Sequence, residues 1–286
     1  MKYANYYSRL LLIAVVLSMV ASCAFNRNRD TWNYDGSNAV PLADTQAYLP
    51  VRERDELGQL LPYVAKPNPY AELSGRIDKT AVTTYIDARR AFNAQKFDFA
   101  EQLLSKLCEE EPKLSGPWVM RGDIAVAQDK LELALQHYAA AIKVNSVNFN
   151  AYLRLAKLQR QLGYFHHAQN TYAKALALWP DGPELHLNLG VLYDVYLNMP
   201  LKAQAHIEAY QLLAQQSSAA EINGDALTWL EEIKQRTGVA RTLTIIGADG
   251  KPEVVSNQGQ SGDATLQHDD DDNAGNELVA SKAPGE

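Results

Sequence analysis

Residues 149–182 read FNAYLRLAKLQRQLGYFHHAQNTYAKALALWPDG, and residues 115–148 read SGPWVMRGDIAVAQDKLELALQHYAAAIKVNSVN. Set one above the other, these two lines of 34 residues put small residues over small and large over large. The same register extends outward to cover residues 81–217 in four lines. The eighth positions are Ala88, Gly122, Ala156 and Gly190. The twentieth are Ala100, Ala134, Ala168 and, one place late, Ala203. Four residues further stand Leu104, Tyr138, Tyr172 and Ile207. A helix-turn-helix hairpin explains the pattern: small residues sit where two helices cross closely, and a large one fills the gap beside them. Pro112 and Pro180 stand where second helices must stop.

The third line also carries Tyr152, Leu155, Gly163, Phe165, Ala175 and Pro180; the second has Trp118 and Ala141; the fourth has Leu189 and Tyr193. Together these residues resemble the tetratricopeptide repeat family. The first line departs from its pattern, with Thr84 and Asp87 in place of a large aromatic and a leucine. In the fourth, the turn Leu197–Pro200 is expected to hold the one extra residue. The resemblance implies an all-α, tetratricopeptide-type solenoid of about four helical hairpins, 81–114, 115–148, 149–182 and 183–217. It also implies a concave face lined by the first helix of each hairpin, on which a protein partner is held.

Carried onto this chain, that face comprises Tyr85, Arg89 and Asn93; Asp123; Arg154, Lys157 and Arg160; and Asn188 and Asp194. Three cations at helical spacing in the third hairpin suit an acidic peptide or a chain-terminal carboxylate. Solvated charges on an exposed face are the plainer reading. Asp123 interrupts the surface, so no carboxylate clamp is read there. A different use of the array, as a structural subunit of an envelope complex such as a pilus or secretin assembly, would rest on Val119, Met120, Val126, Leu187 and Val191 as a permanent interface.

Ahead of the repeats, Lys2 and Arg9 precede an apolar run, Leu10–Val20. The run is too short to span a bilayer and suits a signal segment over 1–22. Val20-Ala21-Ser22-Cys23 resembles the lipobox of bacterial lipoproteins. That resemblance implies cleavage before Cys23, acylation of Cys23 and a membrane anchor. Ala24 in place of an aspartate favours the outer membrane, facing the periplasm, by the enterobacterial sorting pattern. The 286 residues hold 27 basic and 34 acidic side chains, a net charge of −7. Without Lys2 and Arg9 the balance is 25 against 34, or −9. An acidic chain with no basic stripe speaks against nucleic acid as a partner.

Residues 23–80 lack a sustained period and are read as an irregular tether, with a short helix near Arg52–Leu61. Tyr48, Leu49, Leu60, Leu61 and Tyr63 are apolar enough to pack on the solenoid instead. Within 218–238, Ala226, Trp229, Leu230 and Ile233 fall on one stripe of a capping helix, with Asp225 at its start and Gly238 at its end. Residues 239–286 are read as a mostly disordered acidic tail containing a small hairpin, 242–246 with 254–255. Asp269–Asp272 lacks the spaced ligands of a calcium loop. Cys108 is read as a buried apolar residue, and His137, His186 and His206 as packing or surface groups. No catalytic constellation, cofactor motif, metal site or small-molecule substrate pocket is read from the sequence.

Overall fold

The computed structural model describes residues 40–72, 77–216 and 224–253. The expectations for the signal segment, Cys23 and the stretch beyond Glu253 fall outside these residues. Eight helices form four antiparallel hairpins. The first pairs α1 (Lys79–Asn93) with α2 (Phe97–Glu110) and the second α3 (Gly116–Ala127) with α4 (Leu131–Val144). The third pairs α5 (Phe149–Gln161) with α6 (Phe165–Leu178), and the fourth α7 (Pro183–Val191) with α8 (Pro200–Ala214). A ninth helix, α9 (Gly224–Thr237), packs against α8.

The seam inside each hairpin follows from residue size. A Cβ on Gly122 would lie 2.3 Å from the Tyr138 ring, and one on Gly190 would lie 2.5 Å from Cγ1 of Ile207. Only glycine lets these helices approach so closely. Alanine does the same for the other two hairpins, where Ala88 and Ala100, and Ala156 and Ala168, are fully buried beside Leu104 and Tyr172. Helix starts are also written locally. Asp78 caps α1 by accepting from the Thr80 amide, and Asn148 caps α5 by accepting from the Ala151 amide. Pro117, Pro183 and Pro200 stand in first turns, where the missing N–H leaves no helical bond unmade.

Each hairpin turn has three residues, the middle one in the left-handed region: Gln95 (φ 58°), Asp129 (58°), Gly163 (83°) and Asn198 (51°). In the first three turns the next residue's amide returns to the carbonyl five back, Lys96 to Ala91, Lys130 to Ala125 and Tyr164 to Gln159. The fourth turn keeps three residues, which corrects the expectation of an insertion at 197–200. The extra residue widens the preceding helix instead. Residues Leu192–Tyr196 form a π-helical turn, the Leu197 amide bonds to Leu192 O, and the Met199 amide reaches back six residues to Tyr193 O. A single insertion disturbs a helix less as one wide turn than as a break in the closing motif.

Residues 40–66 are not a free tether, and 239–253 are not a disordered tail: both lie against the last two hairpins. The expected helix near Arg52–Leu61 is replaced by a strand, β1 (Arg52–Glu53), and a tight loop. Within the loop the Asp55 carboxylate accepts from the Leu57 and Gln59 amides, and Gly58 takes φ 77°. The side chain thereby competes with helical bonding. Strand β1 pairs in parallel with β2 (Ile245–Ile246). The expected hairpin forms as far as it is described: Ile246 bridges Pro252 in antiparallel fashion and the Glu253 amide bonds to Ile245 O, while 254–255 lie outside the described residues. The turn at Asp249-Gly250 does form, with the Gly247 amide bonding to Lys251 O. This clasp covers α8, whose residues are buried almost all round. Glu208 on α8 is itself buried, and its Oε2 accepts from the Thr242 amide and hydroxyl and the Leu243 amide at 2.8–3.1 Å.

Candidate partner-binding face

The first helices stand side by side, and ion pairs and ring contacts tie them into one face. Arg154 of α5 lies 3.3 Å from the Asp123 carboxylate of α3. The guanidinium of Arg160 stands 5.6 Å over the Tyr196 ring in the wide turn after α7. Arg89, Asn93, Arg154 and Lys157 are exposed, while Tyr85, Asp123 and Arg160 are half-buried. These seven residues lie on the first helices of the first three hairpins.

Its charges are unequally matched. Asp123 accepts from the Tyr138 hydroxyl at 2.8 Å as well as facing Arg154, so its capacity is largely taken. Burial pushes its carboxyl up from the ordinary value, against the pull of Arg154 and of the Tyr138 bond. Burial pushes the Tyr138 and Tyr85 hydroxyls up too, Asp123 adding to both. Desolvation, with Arg160 and Arg154 beside it, pushes the Lys157 ammonium down, and Glu184 only partly opposes them. Three cations crowd one helix face, and an anion placed there would relieve them.

Two of the residues assigned to this face do not belong to it. Asp194 is turned into the end of the array, where Trp229 Nε1 and Arg236 Nη2 of α9 donate to it at 2.8 Å. Only 8% of its side chain is exposed. Asn188 is buried and donates to Glu184 O, one turn back in its own helix, at 2.7 Å. Asp194 is drawn away because α9 stacks where a fifth first helix would stand. The apolar interface assigned to a structural subunit also shrinks. Val119 and Met120 are core residues, since α3 is packed between the first and third hairpins. Leu187 packs on Tyr210, Ala214 and Ala226.

At the junction of the first two hairpins a cavity of about 550 Å³ opens beside Tyr85, lined also by Tyr70, Ile77, Val82 and Leu114, with Lys113 at its edge. Ile77 and Val82 are among the exposed large apolar residues. Its size suits an apolar side chain of a bound segment. Among the described residues no group of three or more His, Cys, Asp or Glu is placed to hold a metal ion. Cys108 is buried and free of disulfide, its thiol pushed up by burial against the pull of Arg121.

The sequence reading missed a second polar centre, where 40–49 meets the array. The Ala43 amide and carbonyl both bond to the Gln169 side chain, and the Thr45 hydroxyl lies 2.9 Å from both Tyr193 Oη and His206 Nε2. Further on, the Tyr63 hydroxyl and the Lys66 amide donate to Asp181, and Trp179 Nε1 donates to Lys66 O. The available signal was Gln169, His186 and His206 at positions a solenoid buries; buried polar groups need partners from somewhere.

Comparison with known proteins is consistent with this geometry. A family model described as tetratricopeptide repeat matches residues 149–181. No curated relative matches the chain. Among solved structures, the chain is similar to the hetero-tetramer Cut9-Hcn1 of the APC/C, at 21% identity and a TM-score of 0.47 over 55% of this chain. It spans only 30% of that chain. It is similar to residues 41-end of MamA from Desulfovibrio magneticus RS-1, at 14% identity and a TM-score of 0.45, covering 57% of this chain and 88% of that one. A tetratricopeptide repeat protein from Parabacteroides merdae is 21% identical, with a TM-score of 0.45 over 56% of this chain and 62% of its own. With the 34-residue period, the four closed hairpins and the family match on the third, the chain is a tetratricopeptide repeat protein.

Proposed function

We propose that this chain is a non-enzymatic adaptor that captures an acidic segment of a protein partner on the face formed by its first helices. The observation that carries this reading is the row of Arg154, Lys157 and Arg160 on one face of α5, faced by Asp123, which is already occupied, and by Glu184, which offsets Lys157 only in part. Arg89 extends the row toward the first hairpin, and the cavity beside Tyr85 offers the segment an apolar anchor. A bound carboxylate would find charge-assisted donors and a planar guanidinium fork. Tetratricopeptide arrays serve as scaffolds for protein contact, which supports the same role.

The place of action is also a proposal. Val20-Ala21-Ser22-Cys23 supports lipid attachment at Cys23, and Ala24 supports the outer membrane facing the periplasm. Acyl chains on one residue hold a protein stably at a bilayer, each buried CH₂ contributing about 0.8 kcal/mol. The adaptor then belongs to an envelope assembly or transport machine. Membrane fractionation tests the anchor: Cys23→Ser is expected to move the protein to the soluble fraction, and unchanged fractionation would reject the lipoprotein reading. Crosslinking and pull-down from membranes tests the face. A partner held by the native chain and lost from the triple variant Arg154→Gln, Lys157→Gln, Arg160→Gln supports it; retention by the variant rejects it.

A further inference from the structure

The amino-terminal segment 40–49 is tied to the array by Asn170, which accepts from the Ala43 amide and donates to Pro41 O, and by a separate uninterrupted chain of hydrogen bonds in which every proton has a single place. His186 Nε2 lies 2.7 Å from Pro180 O, and a carbonyl only accepts, so this nitrogen carries a proton. In a neutral ring His186 Nδ1 is then an acceptor. His206 Nδ1, 2.9 Å away, must donate to it. That leaves His206 Nε2 as an acceptor, and the Thr45 hydroxyl donates to it. Thr45 Oγ1 in turn accepts from the Tyr193 hydroxyl, whose oxygen accepts from Gln169 Nε2. Gln169 closes the chain on both backbone groups of Ala43. Thr45, Gln169, His186, Tyr193 and His206 are all buried, at 1% exposure or less.

We propose that residues 40–49 form an acid-released latch, docked on α6 and α8 while the His186–His206 pair is neutral and freed when the pair takes up a proton. A proton on His186 Nδ1 sets two N–H groups face to face across 2.9 Å. A proton on His206 Nε2 turns the acceptor of Thr45 into a donor. Thr45 Oγ1 can then accept from both His206 and Tyr193, but its own proton has lost its acceptor; turned toward Tyr193 instead, it displaces the Tyr193 proton, which finds none because Gln169 Nε2 is a donor. Either event breaks the relay at the latch.

Burial holds both rings neutral. It pushes His186 down to about 4, with the Pro180 bond and Asp181 opposing, and it pushes His206 well below its ordinary value, aided by His186 and Lys202. A released pair titrates near the ordinary imidazole value of about 6.5. Docking is therefore complete above that pH and weakens as pH falls toward 4, by up to about tenfold per pH unit for each histidine protonated on release. The other ionisable groups facing the latch are distinguishable. His166 of α6 donates from Nδ1 to Val40 O, a bond that its charged form also makes. Lys202 of α8 lies over the Tyr193 ring, Asp44 lies on the latch itself, and Asp181 holds the separate anchor at Tyr63 and Lys66. On the lipid-anchored reading proposed above, release would lengthen the spacer between Cys23 and the array; the latch itself does not depend on that reading.

Hydrogen exchange on the full chain, corrected for intrinsic rates, tests the latch at pH 7.5 and pH 5. Protection of 40–49 is expected to fall at least tenfold in the native protein, while 151–158 in the third hairpin keeps its protection. His206→Gln keeps an acceptor for Thr45 but cannot gain a proton, so its latch is expected to stay protected at both values. Thr45→Val is expected to exchange freely at both. Ring-nitrogen chemical shifts of His186 and His206 give an independent readout, expected to titrate with the same midpoint as the loss of protection. Unchanged protection in the native chain overturns the proposal, as does equal loss in His206→Gln or a ring titration unrelated to release.

Discussion

The first hairpin and the fourth share one plan and are finished differently. In the fourth, α9 covers the end of the array, and two segments from either side of the repeats clasp α8. The core there joins fourteen buried residues, from Tyr152 to Ile233. The first hairpin has six in its cluster, shared with the second, and three of those six are alanines. Phe99, Val82 and Ile77 stay exposed at this end, and an apolar cavity opens there. In a solenoid each repeat is stabilised mainly by its neighbours, so closure at one end leaves the other the first to open.

Overpacking should break this contrast most visibly. Gly122→Leu drives a side chain into the Tyr138 ring and is expected to destabilise by about 3 kcal/mol. Thermal unfolding should show it, and Ala156→Leu should act similarly through Tyr172. Ala88→Leu, by contrast, is expected to raise exchange chiefly within 79–110, because the first hairpin opens alone. A uniform loss from all three would show that the two ends are equally bound into one unit.

Removing the clasp's anchor is the next largest effect. Glu208→Ala leaves the Thr242 and Leu243 donors without an acceptor, at a cost of about 2 kcal/mol. Denaturant unfolding is expected to show a lower midpoint, with exchange rising at 240–246 and not in α1. Acid sharpens the contrast further. His137 sits buried beside Trp118 in the second hairpin, and burial, with Arg121 adding, pushes it down to about 4. Its unfolded form binds a proton near 6.5, so the folded state loses stability as pH falls from that value toward 4. Between pH 7 and pH 5 the loss is expected to be roughly 1–2 kcal/mol, and His137→Gln should remove that part of the pH slope. The smallest effect lies in the turns. Gln95→Gly relieves a left-handed residue and should stabilise the first hairpin by about 0.5 kcal/mol, while Gly163→Ala should cost the third about 1 kcal/mol. Both are read from melting temperatures.

The hairpins were legible because their determinants are local and repeat. Gly122 opposite Tyr138 and Gly190 opposite Ile207 declare a close crossing before any coordinate is known. The groove was legible in part: Arg154, Lys157 and Arg160 follow from helical spacing alone. Asp194 did not, because its fate depends on how α9 stacks, and no period in residues 183–217 announces Trp229 or Arg236 as partners; Asn188 instead turns back onto its own helix. The π turn was misplaced for a similar reason, since an insertion marks a count and not the site where the helix widens. The clasp was hardest. Thr45 meets His206 across 161 residues and Arg52 pairs with Ile245, contacts with no local signature. Tyr48 and Tyr63 gave a hint, by being too apolar for a tether in water, and Gln169, His186 and His206 another, as polar groups at buried positions.

Photo-crosslinking from defined positions tests the central claim most directly. A photoreactive residue is placed at Lys157, on the first-helix face, and in a second protein at Phe99, exposed on a second helix. Each full-length chain is irradiated in membranes. Adducts to one partner from Lys157, absent from Phe99 and lost when Arg154 and Arg160 are neutralised, are the predicted result. Adducts from Phe99 alone, or adducts from Lys157 that survive neutralisation, would contradict capture on the cationic face.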